Sequence, residues 1–321
     1  MSLPVGWSVR RPTLDDVPSI LAVVHAADTY AIGYPDFDAD DVQAALTAPY
    51  VDPTRDCWLG LDPLGTVVAW ATVENPTGVG RESVDVFADP AAGRAVQVPL
   101  LDRQLARVAE RAAERGLPAL TVRCAAYPPE HQWRAALLDR GFTHAKRYVR
   151  MRRPLADLPA EPPVPPAEVT IRQVRPDDEA DLRAFHRVYD TAFRDIADYE
   201  PLPYERWRAR IGDGSAWDEW FFAESDGAPV GVLQSSDQAL DRGEGFVKNL
   251  AVLPGERKRG VGAALLLWAF HRYAAKGRAF AGLGVDLANP TAPLPLYRSV
   301  GLREERTRTI DLYELVVPAA G

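Results

Sequence analysis

The spacing of apolar residues along this chain changes repeatedly, and each change predicts the end of one element and the start of the next. The pattern is clearest in the second half. Residues 246–252 are mostly apolar and β-forming, Pro254 and Gly255 interrupt them, and residues 263–273 carry apolar side chains at helical spacing. This stretch predicts a strand, a loop and a helix in direct succession.

The same reasoning predicts alternating helices and strands in the rest of the chain. In the first half we expect helices at 16–27, 40–48, 100–115 and 130–140, and strands at 57–61, 67–74, 84–88, 119–124 and 146–152. In the second half we expect helices at 178–193 and 203–211, and strands at 220–225, 229–235 and 281–287. This alternation predicts an α/β fold in which helices flank a mixed sheet.

The two halves look like copies of one domain. Residues 8–16 (SVRRPTLDD) and 170–178 (TIRQVRPDD) both lead into a helix pattern, and 88–90 end a strand as 252–254 do. Between the halves, six prolines fall within 154–166, which favours an extended linker because proline interrupts both helices and central strands. We therefore predict domains at 1–153 and 169–321, joined by a Pro-rich linker at 154–168.

The loop between residues 252 and 263 contains the sequence Arg257-Lys258-Arg259-Gly260-Val261-Gly262. Its glycines allow the backbone to approach a ligand closely, and the first N–H groups of a helix have no intrahelical acceptor. Such a turn can bind phosphate. The chain has neither the GxxxxGK[S/T] pattern of a nucleotide P-loop nor the GxGxxG of a Rossmann turn at this place.

The pattern Arg-x-x-Gly-x-Gly after Leu-Ala-Val-x-Pro resembles the acetyl-CoA pyrophosphate loop of the GNAT acetyltransferases. The similarity extends downstream to a strand, Asn289, and a helix with Tyr297 shortly before Val300-Gly301-Leu302. The resemblance implies two tandem GNAT-like acyl-CoA N-acyltransferase domains, with acetyl-CoA as the acyl donor and no metal. The tandem arrangement is also similar to that of mycothiol-synthase members of this family.

The resemblance also implies the roles of individual residues. Tyr297 would protonate the departing CoA thiolate, which suits a phenol because its reference pKa of about 10 keeps it protonated at neutral pH. The residues expected to contact the cofactor are Leu250, Ala251, Val252, Arg257, Lys258, Arg259, Gly260, Val261, Gly262, Ala263 and Asn289. One departure is that Tyr297 follows Asn289 by eight positions instead of the family's seven, with prolines at 290, 293 and 295. We expect the extra residue to lie in the loop before the helix.

A general base is needed to take a proton from the acceptor amine, and a carboxylate suits this role. Glu244 is the first choice, and Asp237 and Glu224 are weaker ones; each is otherwise an ordinary surface acid. In the family, the connection between the first two helices lines the mouth for the acceptor. Its counterparts here, which could attract a cation, are Asp195, Asp198, Tyr199, Glu200 and Tyr204.

The first half lacks the features that carry this chemistry. Its loop reads Ala91-Ala92-Gly93-Arg94-Ala95, without Gly-x-Gly, and Leu137 stands where the second half has Tyr297. We interpret residues 1–153 as a degenerate GNAT-like domain that serves packing or shapes the cleft.

Composition narrows the function further. The 321 residues carry a formal net charge of −8, which disfavours general nucleic-acid binding and is compatible with a cationic acceptor. The two cysteines, Cys57 and Cys124, lie in apolar strand-like surroundings, and the five histidines form no metal-binding pair. There is no run of about 20 apolar residues and no signal-peptide pattern. We expect a cytoplasmic protein, a monomer or homodimer, without membrane or nucleic-acid partners.

The sequence predicts an N-acetyltransferase that moves acetyl from acetyl-CoA directly to the amine of a small molecule. Three alternatives stay open: a non-catalytic acyl-CoA-binding or regulatory module, a mycothiol-synthase-like acetyltransferase, and O-acylation or transfer of a longer acyl group. The pyrophosphate loop cannot separate the acyl groups, because it contacts only the part of CoA that they share.

Overall fold

The computed structural model describes residues 3–78, 80–162, 164–196, 199–211 and 215–321, without the side chains of residues 306 and 307. It divides into two compact units. The first comprises Met1–Arg147 together with Thr307–Gly321, and the second comprises Tyr148–Arg306.

The first unit contains one sheet with helices packed against it. Its elements are β1 (Ser8–Arg10), α1 (Val17–Ile32), α2 (Ala39–Thr47), α3 (Pro53–Asp56), β2 (Cys57–Leu61), β3 (Val67–Glu74), β4 (Arg81–Ala88), α4 (Arg94–Glu114), β5 (Ala119–Ala126), α5 (His131–Asp139) and the larger part of β12 (Arg303–Pro318). The strand order is β1-β2-β3-β4-β5-β12. Among the described pairings of this unit, that of β4 with β5 over Arg81–Ser83 is parallel, and the others are antiparallel.

The second unit repeats this plan. Its elements are the C-terminal part of β6 (Thr143–Pro154), β7 (Val169–Gln173), α6 (Glu179–Phe193), α7 (Tyr204–Ala209), β8 (Phe221–Ser225), β9 (Ala228–Ser236), β10 (Glu244–Val252), α8 (Val261–Ala275), β11 (Phe280–Asp286) and α9 (Leu294–Ser299). The strand order is β7-β8-β9-β10-β11-β6, and of the pairings between described residues that of β10 with β11 is parallel and the others are antiparallel. The alternation predicted from the sequence therefore folds as a mixed sheet in each unit.

The two units do not follow the predicted ranges 1–153, 154–168 and 169–321. Residues 148–154 of β6 pair with β11, and residues 311–318 of β12 pair with β5. Each half of the sequence thus supplies the last strand of the other half's sheet. We assign a strand to the sheet with which it forms hydrogen bonds. On this basis residues 148–154 belong to the second unit and residues 311–318 to the first. The domain boundaries predicted from the sequence, 1–153 and 169–321, therefore stay a prediction.

The sheet of the second unit is covered on both faces, because successive side chains of a strand alternate. Phe221 packs with α8 residues such as Leu265 and Phe270, whereas its neighbour Phe222 packs with Phe185 of α6 and Trp207 of α7. The α8 face and the α6–α7 face are thus two separate apolar cores. In the part of the chain that the structure describes, no helix has the length and apolar character needed to cross a bilayer.

Candidate active site

The two parallel strands of the second unit separate halfway along their length. Residues Glu244–Val247 of β10 pair with Phe280–Leu283 of β11, and beyond this point the described pairing of β10 is with β9 alone, up to Val252 opposite Gly231. The edge of β10 from 249 to 252 therefore faces a gap in the sheet. An extended ligand can hydrogen-bond to such an edge as an added strand. The predicted contacts Leu250, Ala251 and Val252 lie there.

The loop that follows β10 ends in a helix start without a side-chain cap. Gly260, the residue before α8, has a φ of 83°, which glycine adopts without the penalty of other residues. Being a glycine, it provides no side chain to cap the helix. The N–H of Ala264 donates to the carbonyl of Gly260, so the N–H groups of Val261, Gly262 and Ala263 precede the first intrahelical bond. Together with the helix dipole, they can bind an anion.

The three basic residues of this loop differ in whether they are already paired. Arg257 donates from Nε to the carbonyl of Val252 (3.1 Å) and from Nη2 to that of Ala192 (3.0 Å), and it is paired with Asp195. It holds the loop against the end of α6. Arg259 is paired with Glu256. Lys258 is exposed, and no acid among the described residues pairs with it, so it is the cation best able to meet a phosphate.

Gly262 has a packing role in addition to its amide, which precedes the first intrahelical bond. A Cβ at this position would lie 3.0 Å from Cδ2 of Leu296 and 3.8 Å from Cγ2 of Val252. The absence of a side chain therefore lets α9 approach the start of α8. Because Tyr297 follows Leu296, the same close contact fixes the position of the proposed acid.

Tyr297 is half-buried and packs against the α8-side core. Burial raises the pKa of Tyr297 to about 12. The phenol is therefore protonated throughout the neutral range. Among the described residues no group hydrogen-bonds to its hydroxyl, which leaves the O–H available to a ligand.

Asn289 shapes the turn that leads into α9. Its side-chain oxygen accepts from the N–H (2.9 Å) and the hydroxyl (2.7 Å) of Thr291, and the N–H of Ala292 donates to its carbonyl (3.0 Å). The helix begins only at Leu294, so the turn takes up residues 289–293. The contact between Asn289 and a cofactor stays a prediction.

Glu244 lies in a different environment from the one expected of a base. Its side chain is fully buried, and its two oxygens lie 2.7 Å from Nη2 of Arg150 and 3.2 Å from Nε of Arg152. A Cβ on Gly282 would come within 1.8 Å of Glu244 Oε1, so the glycine makes room for this carboxylate. A group enclosed in this way cannot reach an incoming amine, and we leave it out of the proposed mechanism.

The other acids considered from the sequence are dispersed. Glu224 is paired with Arg172 (2.7 Å), and Asp237 is exposed at the end of β9. The hydroxyl of Tyr199 donates to Asp190, and that of Tyr204 donates to Glu179. Asp195 is held by Arg257, Glu200 is half-buried and has its own partner, and Asp198 lies outside the described residues.

The structure also brings forward residues that the sequence analysis did not select. Lys248 lies at a β-bulge of β10, beside the point where β10 and β11 separate. Tyr189 and Phe193 of α6 lie with Tyr199 in one group of rings whose centroids are 4.6 to 6.1 Å apart. Two features of the sequence could have identified these residues: a lysine inside an otherwise apolar strand, and two aromatic residues four positions apart on a helix.

No metal site accompanies this arrangement in the ranges that the structure describes, where no group of His, Cys, Asp and Glu is placed to hold an ion. An uncapped helix start next to a gap between parallel strands instead fits a long, phosphorylated, extended ligand.

Comparison with known proteins places this fold in a family. Residues 182–302 match the model of the Acetyltransferase (GNAT) family, and this segment of the chain belongs to that family. The chain as a whole has the tandem GNAT fold.

Individual relatives agree with this assignment. A mycothiol acetyltransferase of Thermomonospora curvata is 32% identical over 164 residues, which span 50% of this chain and 53% of that protein. The crystal structure of a GCN5-related N-acetyltransferase from Sphaerobacter thermophilus superposes with a TM-score of 0.82 at 22% identity, covering 100% of this chain and 98% of the other. A tandem GNAT protein from the clavulanic acid biosynthesis pathway, solved without AcCoA, has a TM-score of 0.68 at 15% identity, covering 98% and 100%.

Proposed function

We propose that the second unit binds acetyl-CoA and transfers its acetyl group to the amine of a small molecule. The observation that carries this proposal is the gap between β10 and β11, which opens next to the uncapped start of α8 and to the helix bearing Tyr297. The family match of residues 182–302 supports the reaction class.

Different residues bind the different chemical groups of acetyl-CoA. The N–H groups of Val261, Gly262 and Ala263 and the ammonium of Lys258 bind the pyrophosphate, since they supply donors and positive charge in one place. The open edge of β10 binds the amides of the pantetheine arm. Leu250 and Val252, which are half-buried beside the α8-side core, give the arm an apolar floor.

Acetyl-CoA supplies a thioester whose carbonyl carbon accepts the amine nitrogen as the C–S bond breaks. N–H groups on the open edge of β10 stabilise the negative charge that develops on the carbonyl oxygen. Tyr297 gives its proton to the departing sulfur. The amine proton passes to solvent or to a base that we do not assign, because Glu244 is enclosed and Glu224 is paired with Arg172.

The other features of the proposal follow from the sequence. We propose a cytoplasmic enzyme, monomeric or homodimeric, that needs no metal. We also propose that the first half, 1–153, has lost its cofactor site: Leu137 is buried in the core of the first unit and has no hydroxyl to donate.

A second candidate is acetylation of a mycothiol precursor. It is favoured by the tandem fold together with the identity to the mycothiol acetyltransferase, although the matched stretch covers only about half of that relative (53%). A non-catalytic acyl-CoA-binding module is the candidate from another class, and the available hydroxyl of Tyr297 argues against it.

Release of free thiol from acetyl-CoA, measured with a panel of amines, amino acids and aminoglycosides, tests the proposal. We expect Tyr297→Phe to lower kcat roughly 100-fold, within the usual range for a general acid, and to leave acetyl-CoA affinity nearly unchanged. Tyr30→Phe, which removes a hydroxyl on α1 of the first unit, is the matched control. Tight acetyl-CoA binding without thiol release would favour the binding module, and an unchanged kcat in Tyr297→Phe would exclude this residue as the acid.

A further inference from the structure

The bulge in β10 decides which way its charged residue points. Val247 pairs with Ser235 and Asn249 with Gln234, so one residue, Lys248, is inserted between positions that face opposite sides of the sheet. Val247 belongs to the α8-side core. Lys248 and Asn249 therefore share the opposite face, on which α6 and α7 pack and on which Ala251 contacts the α6-side core.

Lys248 is solvent-exposed at the end of the paired segment, where the gap between β10 and β11 begins. Although the side chain as a whole is exposed, partial burial of its ammonium group lowers the pKa of Lys248, and the positive charge of Arg210, at the end of α7, lowers it further. Lys248 thus lies at the start of the gap with a second cation within electrostatic reach. Placing two cations close together is unfavourable unless an anion compensates them.

No internal anion compensates these two cations in the part of the chain that the structure describes. The nearby acids of α6 and its following loop are already engaged: Asp190 with Arg194 (2.6 Å) and with the hydroxyl of Tyr199 (3.0 Å), and Asp195 with Arg257. Neither Lys248 nor Arg210 forms an ion pair with a described residue.

An aromatic surface lies beside the cations. The rings of Tyr189, Phe193 and Tyr199 form one group, with centroids 4.6 Å apart between the first two and 5.8 Å between the last two. All three are half-buried. Burial raises the pKa of Tyr189, and the positive charge of Arg210 partly offsets this rise, so Tyr189 and Lys248 lie within electrostatic reach of the same cation. Exposed aromatic faces of this kind pack against apolar or aromatic ligands.

The cations lie away from the expected position of the cofactor phosphates. Lys248 precedes the end of β10 by four residues, or about 13 Å of strand, whereas the phosphate loop follows that end. It instead adjoins the place where a thioester would meet its acceptor.

We propose that the acceptor is an amine that also carries an anionic group, held by Lys248 and Arg210, and an apolar part that packs on Tyr189, Phe193 and Tyr199. An amino acid with a free carboxylate and a large apolar side chain is the simplest member of this class. The proposal rests on the acetyltransferase function proposed above. It narrows the expectation of a cationic acceptor, based on net charge, to an amine that also carries an anionic group.

Matched pairs of amines that differ only in the carboxylate provide the test: phenylalanine and phenethylamine, tyrosine and tyramine, tryptophan and tryptamine. Thiol release with acetyl-CoA gives kcat and KM for each compound. We expect the carboxylated member to have the higher kcat/KM. Lys248→Met should raise its KM roughly 10-fold or more, as expected for loss of a charge-assisted contact, with little change for the decarboxylated member.

Two further variants separate charge from structure. Lys248→Arg keeps the positive charge and should retain most of the preference, and Arg187→Met, which removes an exposed cation of α6, should change nothing. The KM for acetyl-CoA should be the same in all three variants. The proposal is overturned if the decarboxylated amines are equally good substrates or if Lys248→Met affects both members of a pair equally.

A binding measurement tests the preference for carboxylated amines independently of whether the protein is an acetyltransferase. Calorimetric titration of the same amines into the protein with unacetylated coenzyme A needs no turnover. Preferential binding of the carboxylated amines, lost in Lys248→Met, supports the inference even if no thiol is released, and that absence would count against the enzyme function alone. Equal binding of both members, or no binding of any carboxylated amine, overturns the inference.

Discussion

The loops before α4 and α8 begin alike and end differently. In the first unit the N–H of Asp89 donates to the carbonyl of Val68 (2.9 Å), and in the second the N–H of Leu253 donates to that of Val230 (2.9 Å). After this shared bond, the carboxylate of Asp89 accepts from the N–H groups of Ala91 (2.8 Å) and Ala92 (2.9 Å). The first loop therefore contains its own anion.

This difference shows how one acidic side chain next to a helix start can oppose anion binding in one copy of a fold. The turn before α4 is satisfied internally by Asp89, although α4 itself also begins without a side-chain cap, and the fixed negative charge of Asp89 would repel a phosphate. The helix start in the second unit leaves three amides and Lys258 for a ligand. The comparison supports our proposal that only the second unit holds the cofactor.

The glycines before α4 and α8 can each be changed to alanine, and the change at Gly93 should have the largest effect on stability. In Gly93→Ala the new Cβ would lie 2.2 Å from the carbonyl oxygen of Val68, which is backbone and cannot move aside. We expect a loss of about 3 kcal/mol or more in the free energy of unfolding. Urea denaturation measures it, and a variant as stable as the parent would show that this loop tolerates rearrangement.

Gly260→Ala is the matched change in the second unit, and it should act on binding more than on folding. A φ of 83° costs alanine roughly 1–2 kcal/mol, and its Cβ would lie 3.0 Å from Cγ of Pro166. Relief of this strain would turn the amides of α8 away from the phosphates. We therefore expect weaker acetyl-CoA binding by calorimetry, with a stability loss smaller than that of Gly93→Ala.

The strands before the two loops allow a second comparison. Counting back five positions from Pro90 and Pro254, Asp85 of β4 corresponds to Asn249 of β10. Burial raises the pKa of Asp85 to about 7, and the charge of Glu74 contributes. The folded protein therefore holds a proton on Asp85 between its ordinary pKa and about 7 that the unfolded chain has released, so its contribution to stability falls as pH rises through this window.

Asp85→Asn removes this pH dependence of stability, and it introduces the residue type that the second unit has at the corresponding position, Asn249. We expect the variant to be more stable than the parent by about 2 kcal/mol at about pH 8, after allowance for partial exposure, and by less than half of that at about pH 5. Urea denaturation at both pH values measures the difference. A variant equally stabilised at both would show that packing, and not ionisation, accounts for the change.

The sequence predicted the local parts of this molecule well and the non-local parts poorly. The succession of β10, loop and α8 was predictable because apolar spacing, Pro254 and the glycines act within a few residues. The exchange of β6 and β12 between the units was not, since nothing local marks a strand's partner. The same limit applies to Glu244: its arginine partner Arg150 lies 94 positions away, so its burial could not be read from its neighbours.

Lys258→Glu tests the charge of the second loop without altering its backbone neighbours. Because Lys258 is exposed and has no described acid partner, the substitution should leave stability nearly unchanged. We expect the KM for acetyl-CoA to rise roughly 10-fold, with a smaller effect at high salt because screening weakens the repulsion. Arg94→Glu at the start of α4 is the matched control, and an equal effect there would contradict the assignment of the cofactor to the second unit.

Asp89→Ala should have the smallest effect, and it addresses the comparison most directly. Removing the carboxylate leaves the amides of Ala91 and Ala92 without their acceptor, which should cost about 1 kcal/mol in unfolding free energy, whereas Asp89→Asn should cost less. Neither variant should create acetyl-CoA binding in the first unit, because α4 there follows a loop without Gly-x-Gly and Leu137 replaces the phenol. If calorimetry on Asp89→Ala detected a second bound acetyl-CoA per chain, the aspartate alone would be what separates the two units, and the loop length and glycines would be secondary.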